Sequence, residues 1–444
     1  MFKRILIANR GEIARRIIRT CKRLGIETVV VHSDADMDLP FVQEADEAVF
    51  IGLAPAYASY LNMDAVLDAA QQTGAEAIHP GYGFLSENPA FASRCTGLGI
   101  VFIGPPPAAI VAMGEKVAAR NLMKSVGVPV APGTANPVST PDEAVAAAEE
   151  IGYPVLIKPA AGGGGIGMTI AENADKLRAG LKTAQSRAQR AFGDDSVFIE
   201  RYLPNSRHIE FQVLFDSYGN GVHLYERECS VQRRYQKVIE ETPAPGLGSN
   251  NELRQQMAQA ALQAAATVGY QNAGTIEFIF AENGEFYFLE MNTRLQVEHP
   301  ITEMTLGLDL VELQLRIASG EPLPLQQADI QPKGHAIEFR IYAEDPVSFL
   351  PQPGPLTLYQ PPATSEYVRL DSGFVQGNTI TPHYDPLIAK LIVWGETRAA
   401  ALERSRTALT DFKIEGIKTN LPLHLRLLDN PAFVSGNYNT SLLK

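Results

Sequence analysis

Glu277 and Glu290 have the setting that most directly implies chemistry. The stretch Thr275-Ile-Glu-Phe-Ile-Phe-Ala-Glu-Asn-Gly-Glu-Phe-Tyr-Phe-Leu-Glu290 holds two aromatic-rich runs around Asn283-Gly284, a dipeptide that suits a two-residue type I′ hairpin turn. Counting outward from that turn pairs 282 with 285, 280 with 287 and 277 with 290. Glu277 then lies across from Glu290, on a face shared with Ile279 and Phe288. Opposed like charges destabilise a hairpin, and a divalent cation offsets them. Mg2+ takes one or two carboxylates and fills its other positions with water and nucleotide phosphates. The plainer alternative is a wet hairpin whose glutamates point to solvent, and the apolar neighbours argue against it.

The run continues as Met291-Asn-Thr-Arg-Leu-Gln-Val-Glu298. If the strand stays extended, Glu290, Asn292, Arg294, Gln296 and Glu298 share one side. A guanidinium between amides suits a small planar anion such as bicarbonate. A carboxylate at the end can act as a base. A merely polar strand face would admit Lys, Ser and Thr freely.

A second candidate lies upstream. Tyr153-Pro-Val-Leu-Ile-Lys158 reads as a strand ending in lysine, and Gly162-Gly-Gly-Gly165-Ile-Gly167 follows closely. Glycines let backbone N–H groups crowd round an anion, and the lysine adds a point charge for phosphate. The glycines lie between strand-like runs at 155–157 and 168–170. A hairpin flap over a phosphate chain is therefore preferred to a flexible linker. The spacing is not that of a P-loop, and Asn9-Arg-Gly-Glu12 lacks the dinucleotide-binding glycine pattern.

These residues need a scaffold. The 444 residues suggest about three domains at roughly 150 residues each. Apolar residues make up 45% and charged residues 20%, a globular balance. A net charge of −12 argues against nucleic acid or anionic membrane as a partner. Cys21, Cys95 and Cys229 form no Cys-x-x-Cys pair, which fits a reducing, cytoplasmic setting. The basic start leads into an apolar run too short for a signal sequence, and no run is long enough to span a bilayer. Residues 4–8, then Ile13, Ile17, Ile18, Cys21 and Leu24 at helical spacing, then 27–32, read as a βαβ unit. Residues 75–79 and 99–103 are further strands of an open α/β layer. After Pro105-Pro-Pro107 come helical patterns and short strands to about residue 200. The region 205–300 is strand-rich. A polar, proline-containing stretch near 320–335 marks another boundary before a mixed strand-and-helix end.

Glu290-Met-Asn-Thr-Arg-Leu-Gln-Val-Glu-His299 resembles the active-site signature of biotin carboxylases, in the ATP-grasp superfamily. His79-Pro-Gly-Tyr-Gly-Phe-Leu-Ser-Glu-Asn88 and Arg207-His-Ile-Glu-Phe-Gln-Val213 resemble that family too. So do the run from Glu228 to Pro245 and Gly334-His-Ala-Ile-Glu-Phe-Arg-Ile-Tyr-Ala-Glu-Asp345. The resemblance implies an α/β and α+β chain of three parts. These are an N-terminal open parallel α/β domain (1–115), a central ATP-grasp domain (116–330) with a glycine-rich lid at about 131–203, and a C-terminal mixed α+β domain (331–444).

The resemblance also implies roles. Lys116 and Lys158 would touch ATP phosphates beneath Gly164 and Gly165. Glu200, Arg201, Tyr202 and Leu203 would form the adenine hinge, with His208, Gln232 and Tyr235 lining the nucleotide site. Glu277 and Glu290, assisted by Asn292, would hold two Mg2+ or Mn2+ ions. Lys237, Arg294, Gln296 and Val297 would place bicarbonate, Glu298 would take its proton, and Arg340 would stabilise the ureido oxygen of biotin. The implied reaction is ATP- and bicarbonate-dependent carboxylation of biotin through carboxyphosphate. Tyr235 and Ile166 stand where the fatty-acid-type enzymes usually carry histidine and arginine. No Met-Lys-Met attachment site is present, so a separate biotin carboxyl carrier protein and carboxyltransferase subunits are expected partners. A homodimer is implied as well. The expected setting is acetyl-CoA carboxylase in fatty acid biosynthesis. The alternatives are a carboxylase for a urea-like or other acceptor, or another ATP-grasp carboxylate–amine ligase. Cys229, Trp394 and His299 are assigned no catalytic part.

Overall fold

A computed structural model describes residues 1–160 and 168–443. The opening βαβ pattern becomes a five-stranded, all-parallel sheet. Its order is Glu47–Gly52, Glu27–Ser33, Arg4–Ile7, Ala77–His79, Val101–Phe102. The helix Gly11–Leu24 buries Ile13, Ile17, Ile18 and Cys21, as its spacing requires, and Gly25 ends it in the left-handed conformation at φ 71°. The last two strands are shorter than the apolar runs that signal them.

The lid is a separate small layer. Val155–Pro159 pairs antiparallel with Thr169–Ala171 and with Val197–Arg201. The helices Pro141–Ile151 and Ala174–Phe192 flank it, and Val145, Ala148, Val155, Ile157, Leu177 and Leu181 pack between. The two runs expected to form the flap hairpin do pair. Gly164, Gly165 and Ile166 lie outside the described residues.

An eight-stranded antiparallel sheet carries the rest. Its order is Phe286–Asn292, Asn272–Phe280, Arg207–Phe215, Gly221–Arg233, Gln236–Thr242, His335–Tyr342, Leu387–Gly395, Val368–Ser372. The polar stretch near 320–335 thus separates two chain segments that share one sheet. Ile209, Phe211, Val213, Ile276, Phe278 and Phe288 pack from one face against Met257, Ala261 and Ala264 of the helix Asn251–Thr267. Strand alternation turns His208, Glu210, Gln212, Thr275 and Glu277 to the opposite face.

Two expectations about the active segment need correction. Asn283-Gly284 does reverse the chain, but through a longer loop. The Ala281 N–H donates to the Glu285 carbonyl at 2.8 Å, and Phe280 faces Phe286, not residue 287. A bulge at Leu289 then restores the count, so Glu277 does face Glu290. The same bulge turns Phe288 onto the apolar face with Phe278. It does not share the glutamate face as expected. Second, the strand does not stay extended. It stops at Asn292, residues 293–298 turn, and the helix His299–Leu306 begins with Pro300 in its first turn.

Candidate active site

Four strands set a row of charges across the buried face. Glu290 faces Glu277, Glu277 faces Glu210, and Glu210 faces Arg227. Three glutamates abreast are stable only with counter-charges. Lys237 supplies one from the next strand. Its ammonium reaches Glu210 Oε2 (2.6 Å), Glu277 Oε1 (2.8 Å) and Glu298 Oε1 (2.6 Å). Burial alone would lower its pKa, but the three carboxylates raise it well above the usual lysine range. His208 adds a second counter-charge, with Nε2 at 3.0 Å from Glu277 Oε2. Burial opposes its charge, and Glu277 outweighs burial to raise its pKa.

The turn 293–298 brings the remaining polar groups inward. Asn292 Nδ2 and Gln296 Nε2 both donate to Glu277 Oε1, at 2.8 and 2.9 Å. Arg294 donates to Asn292 Oδ1 (3.0 Å) and to Glu87 Oε2 (2.9 Å), and the Thr293 N–H donates to Glu87 Oε1 (3.1 Å). Glu87 sits in the His79–Asn88 motif, so the first domain clamps the turn that ends the strand. Glu298 is bridged by two cations, Lys237 on Oε1 and Arg340 Nη2 on Oε2 (2.9 Å). Burial would raise its pKa, yet Lys237, Arg340 and Arg227 hold it far below the usual carboxylate range. Cys229 lies 3.9 Å from Glu298 Oε1, and burial keeps its thiol protonated.

Three donors converge on Glu277 Oε1, while Oε2 faces only His208 Nε2 at 3.0 Å, and Glu290 makes no side-chain hydrogen bond among the described residues. Burial raises its pKa, the Glu277 charge raises it further, and Lys116 and Lys158 oppose both. A half-buried, unpartnered carboxylate facing a second one fits an oxygen-ligated divalent cation, with the Asn292 amide beside them. Lys158 Nζ pairs with Glu200 Oε2 at 2.6 Å at the lid base. Lys116 opens the helix Lys116–Ser125. Burial and the like charge of Lys158 lower its pKa, while Glu290 pulls the other way.

The expected nucleotide-lining residues fall on both sides of this cluster. Gln232, cross-strand from Lys237, lies 3.3 Å from His208 Nδ1. Arg201 ends the lid strand, followed by Tyr202 and Leu203. Tyr235 is half exposed at a turn formed by Arg234 and Tyr235, with φ of 48° and 70°. That is the backbone of a tight I′ hairpin, built without the Asn-Gly that makes it easy.

Three family models match in order: biotin carboxylase, N-terminal domain, over residues 1–110; carbamoyl-phosphate synthase L chain, ATP binding domain, over 115–326; and biotin carboxylase C-terminal domain, over 338–444. Biotin carboxylase 2 of Bacillus subtilis (strain 168) is 53% identical across 100% of this chain and 99% of its own length. The chain belongs to the biotin carboxylase family. The propionyl-CoA carboxylase alpha chain of Ruegeria pomeroyi is 49% identical over 100% of this chain and 68% of its own length. The biotin carboxylase domain dimer of Hydrogenobacter thermophilus 2-oxoglutarate carboxylase, solved with MgADP and bicarbonate, superposes with a TM-score of 0.96. It is 46% identical and covers 100% of this chain and 97% of that one. This chain is therefore an ATP-dependent ligase with biotin carboxylase activity. Among the described residues, no helix is long and apolar enough to cross a membrane.

Sequence reasoning gave no role to several residues that build this carboxylase site. Arg227 is fully buried and donates to five side chains: Glu210 Oε1 (2.6 Å), Gln212 Oε1 (2.8 Å), Thr302 (3.1 Å), Thr275 (3.1 Å) and Gln296 Oε1 (2.6 Å). Lys390, also fully buried, donates to the Val297 carbonyl (2.7 Å) and lies 3.1 Å from Glu12 Oε1. It ties the turn to the first domain and to the C-terminal strand. Both sit in runs that look like solvent-facing charge or ordinary strand, so no local pattern signals them.

Proposed function

We propose that this enzyme spends ATP to carboxylate the biotin of a separate carrier protein, through carboxyphosphate. The observation that carries the reading is the double bridge on Glu298: one base candidate held between Lys237 and Arg340, beside the Gln296–Glu277 contact. In this reading Lys237, Arg294, Gln296 and the Val297 backbone hold bicarbonate, and Glu298 removes its proton. A bicarbonate oxygen attacks the γ-phosphorus, and ADP leaves. Carboxyphosphate then breaks to CO2 and phosphate. The phosphate takes the ureido N–H proton, and the nitrogen attacks CO2. Lys116 and Lys158 neutralise phosphoryl charge, and the lid keeps water from the labile intermediate. Glu277, Glu290 and Asn292 would hold Mg2+ or Mn2+, two ions in all, which when bound neutralises charge on the β- and γ-phosphates. Glu200, Arg201, Tyr202, Leu203, His208, Gln232 and Tyr235 would line the nucleotide site, with Gly164 and Gly165 in the lid. We assign the three domains to 1–115, 116–330 and 331–444.

Arg340 links the two halves of the reaction. While it rests on Glu298 it weakens that base. When it turns to the ureido oxygen of biotin, Glu298 loses a counter-charge and gains proton affinity. ATP use should therefore depend on biotin. The test is ADP release with bicarbonate and free biotin supplied singly and together. Turnover is expected only with both; biotin-independent turnover with an amine would sink the reading in favour of a carboxylate–amine ligase.

Arg340→Ala is expected to cut biotin carboxylation by about 10²-fold or more, the scale for removing a group that stabilises charge appearing only in reaction. ATP binding should persist. Carboxybiotin formation at the parent rate would refute the role. For the final acceptor we propose acetyl-CoA, with a biotin carboxyl carrier protein, carboxyltransferase subunits and a homodimeric enzyme in fatty acid biosynthesis. Relatives named for propionyl-CoA and for 2-oxoglutarate share this architecture. The carboxyltransferase that co-purifies identifies which acceptor applies here.

A further inference from the structure

Two carboxyl groups that this reaction does not use lie behind Arg340. Glu240 stands directly opposite Glu338 on the neighbouring strand, and both are fully buried. None of their four oxygens has a hydrogen-bond partner among the described residues. Glu240 Oε1 lies 2.5 Å from Arg340 Nε, close in distance but not aligned to accept from it. Two carboxylates paired across a dry sheet cannot both stay charged unless each has its own cation. The nearby cations are already engaged. Arg340 also serves Glu298, Lys390 serves the Val297 carbonyl and Glu12, and Lys237 serves three other glutamates.

We propose that Glu240 and Glu338 share a single proton and act as positioning residues for Arg340. With one charge on the pair, Arg340 is divided between Glu240 and Glu298 and can reach the ureido oxygen of biotin. When the proton leaves, the doubly charged pair draws the guanidinium back into the sheet. The inference rests on the reading above, in which Arg340 meets biotin.

The surroundings push this pair toward neutrality. Burial, opposed by Arg340, pushes Glu240 up to about 7, and burial carries Glu338 well above the usual range against the pull of Lys390. Lys237 shares the strand of Glu240 and Arg340 that of Glu338, Lys390 faces the pair from the next strand, and Cys229 and Glu210 lie on the strands beyond Glu240. Glu298 faces the pair where the helix His299–Leu306 begins, with His299 beside Lys390, and Tyr342 and Asp385 lie near the other side of Arg340. His299 stays neutral because burial lowers it well below its usual value. Cys229 stays a thiol, Tyr342 is pushed above its usual value, and Glu298 stays ionised.

The experiment is the pH dependence of KM for biotin in the full enzyme, Glu338→Gln and Glu240→Gln. One proton lost should raise KM about tenfold per pH unit on the alkaline side in the parent. Glu338→Gln mimics the protonated acid and cannot gain the second charge. It should match the parent at low pH and lose the alkaline rise. Glu240→Gln should also lose the rise, with KM high throughout because Arg340 then settles on Glu298. An alkaline rise unchanged in both variants overturns the proposal. An infrared pH titration of the parent reads the shared proton without any variant or biotin: a carboxylic-acid carbonyl band should vanish at the midpoint of the KM rise. No such band also overturns the proposal. A parent whose ATP use ignores biotin, with the band present, fails the functional reading and leaves the shared proton standing.

Discussion

Glu298→Gln should leave a folded, ATP-binding enzyme whose carboxylation rate is about 10²–10⁴-fold lower, the range for losing a positioned general base. The amide keeps the shape of the side chain but cannot take the bicarbonate proton. It also cancels the charge that Lys237 and Arg340 share at 2.6 and 2.9 Å. Glu210 and Glu277 still hold Lys237, and Glu240 still faces Arg340, so neither cation is stranded. That is why the loss should appear in the chemical step and not in folding. Glu298 has its pKa lowered in the fold, so its charge adds stability above the ordinary carboxylate range and that contribution fades as pH falls through the folded value. The comparison should therefore be made near neutrality. Carboxybiotin formation and calorimetric ATP binding, measured on the same preparation, check it. A rate close to that of the parent would remove Glu298 from the base role.

The parallel layer of the first domain was legible because buried parallel strands read as short apolar runs, and the helix between them carries its own spacing and a terminal glycine. The hairpin was legible at one level and not at another. Asn283-Gly284 signals a reversal, but Asn283 also accepts from the Glu285 N–H and donates to the Glu285 side chain, which lengthens the loop. Nothing local marks the compensating bulge at Leu289. Two one-residue errors cancelled at Glu277 and Glu290, and Phe288, between them in the count, landed on the wrong face. The extended run failed for a long-range reason. Glu87, far earlier in the chain, takes the Thr293 N–H that a continuing strand would have used for pairing. The side chains still converge, because a turn can gather residues that an alternating strand would only align.

Arg227 was the least legible part of the site, and its loss should cost the most structure. In Glu226-Arg-Glu228 it looks like surface charge. A bulge in the same strand, with Tyr225 at φ 61°, shifts the register before it and hides which way it faces. In the fold its planar fork meets carboxylate, amide and hydroxyl groups from separate segments of the chain. Arg227→Met removes one of the two cations on Glu210, leaving Lys237, and takes the donors away from buried acceptors on Gln212 and Gln296, a change that costs about 1–3 kcal/mol for each buried group left unpaired. Arg227→Lys is the sharper probe. It keeps the charge but is a point donor that cannot serve five acceptors. Arg227 fixes Gln296 by holding Oε1, which leaves Nε2 aimed at Glu277. Without that hold the amide can turn, and bicarbonate should suffer more than ATP. The expected result is a lowered melting temperature in both variants. In Arg227→Lys, KM for bicarbonate should rise about tenfold, the effect of losing a hydrogen bond to a charged group, with ATP affinity near that of the parent. An unchanged KM for bicarbonate in a destabilised Arg227→Lys enzyme would reduce Arg227 to a packing role and detach Gln296 from it.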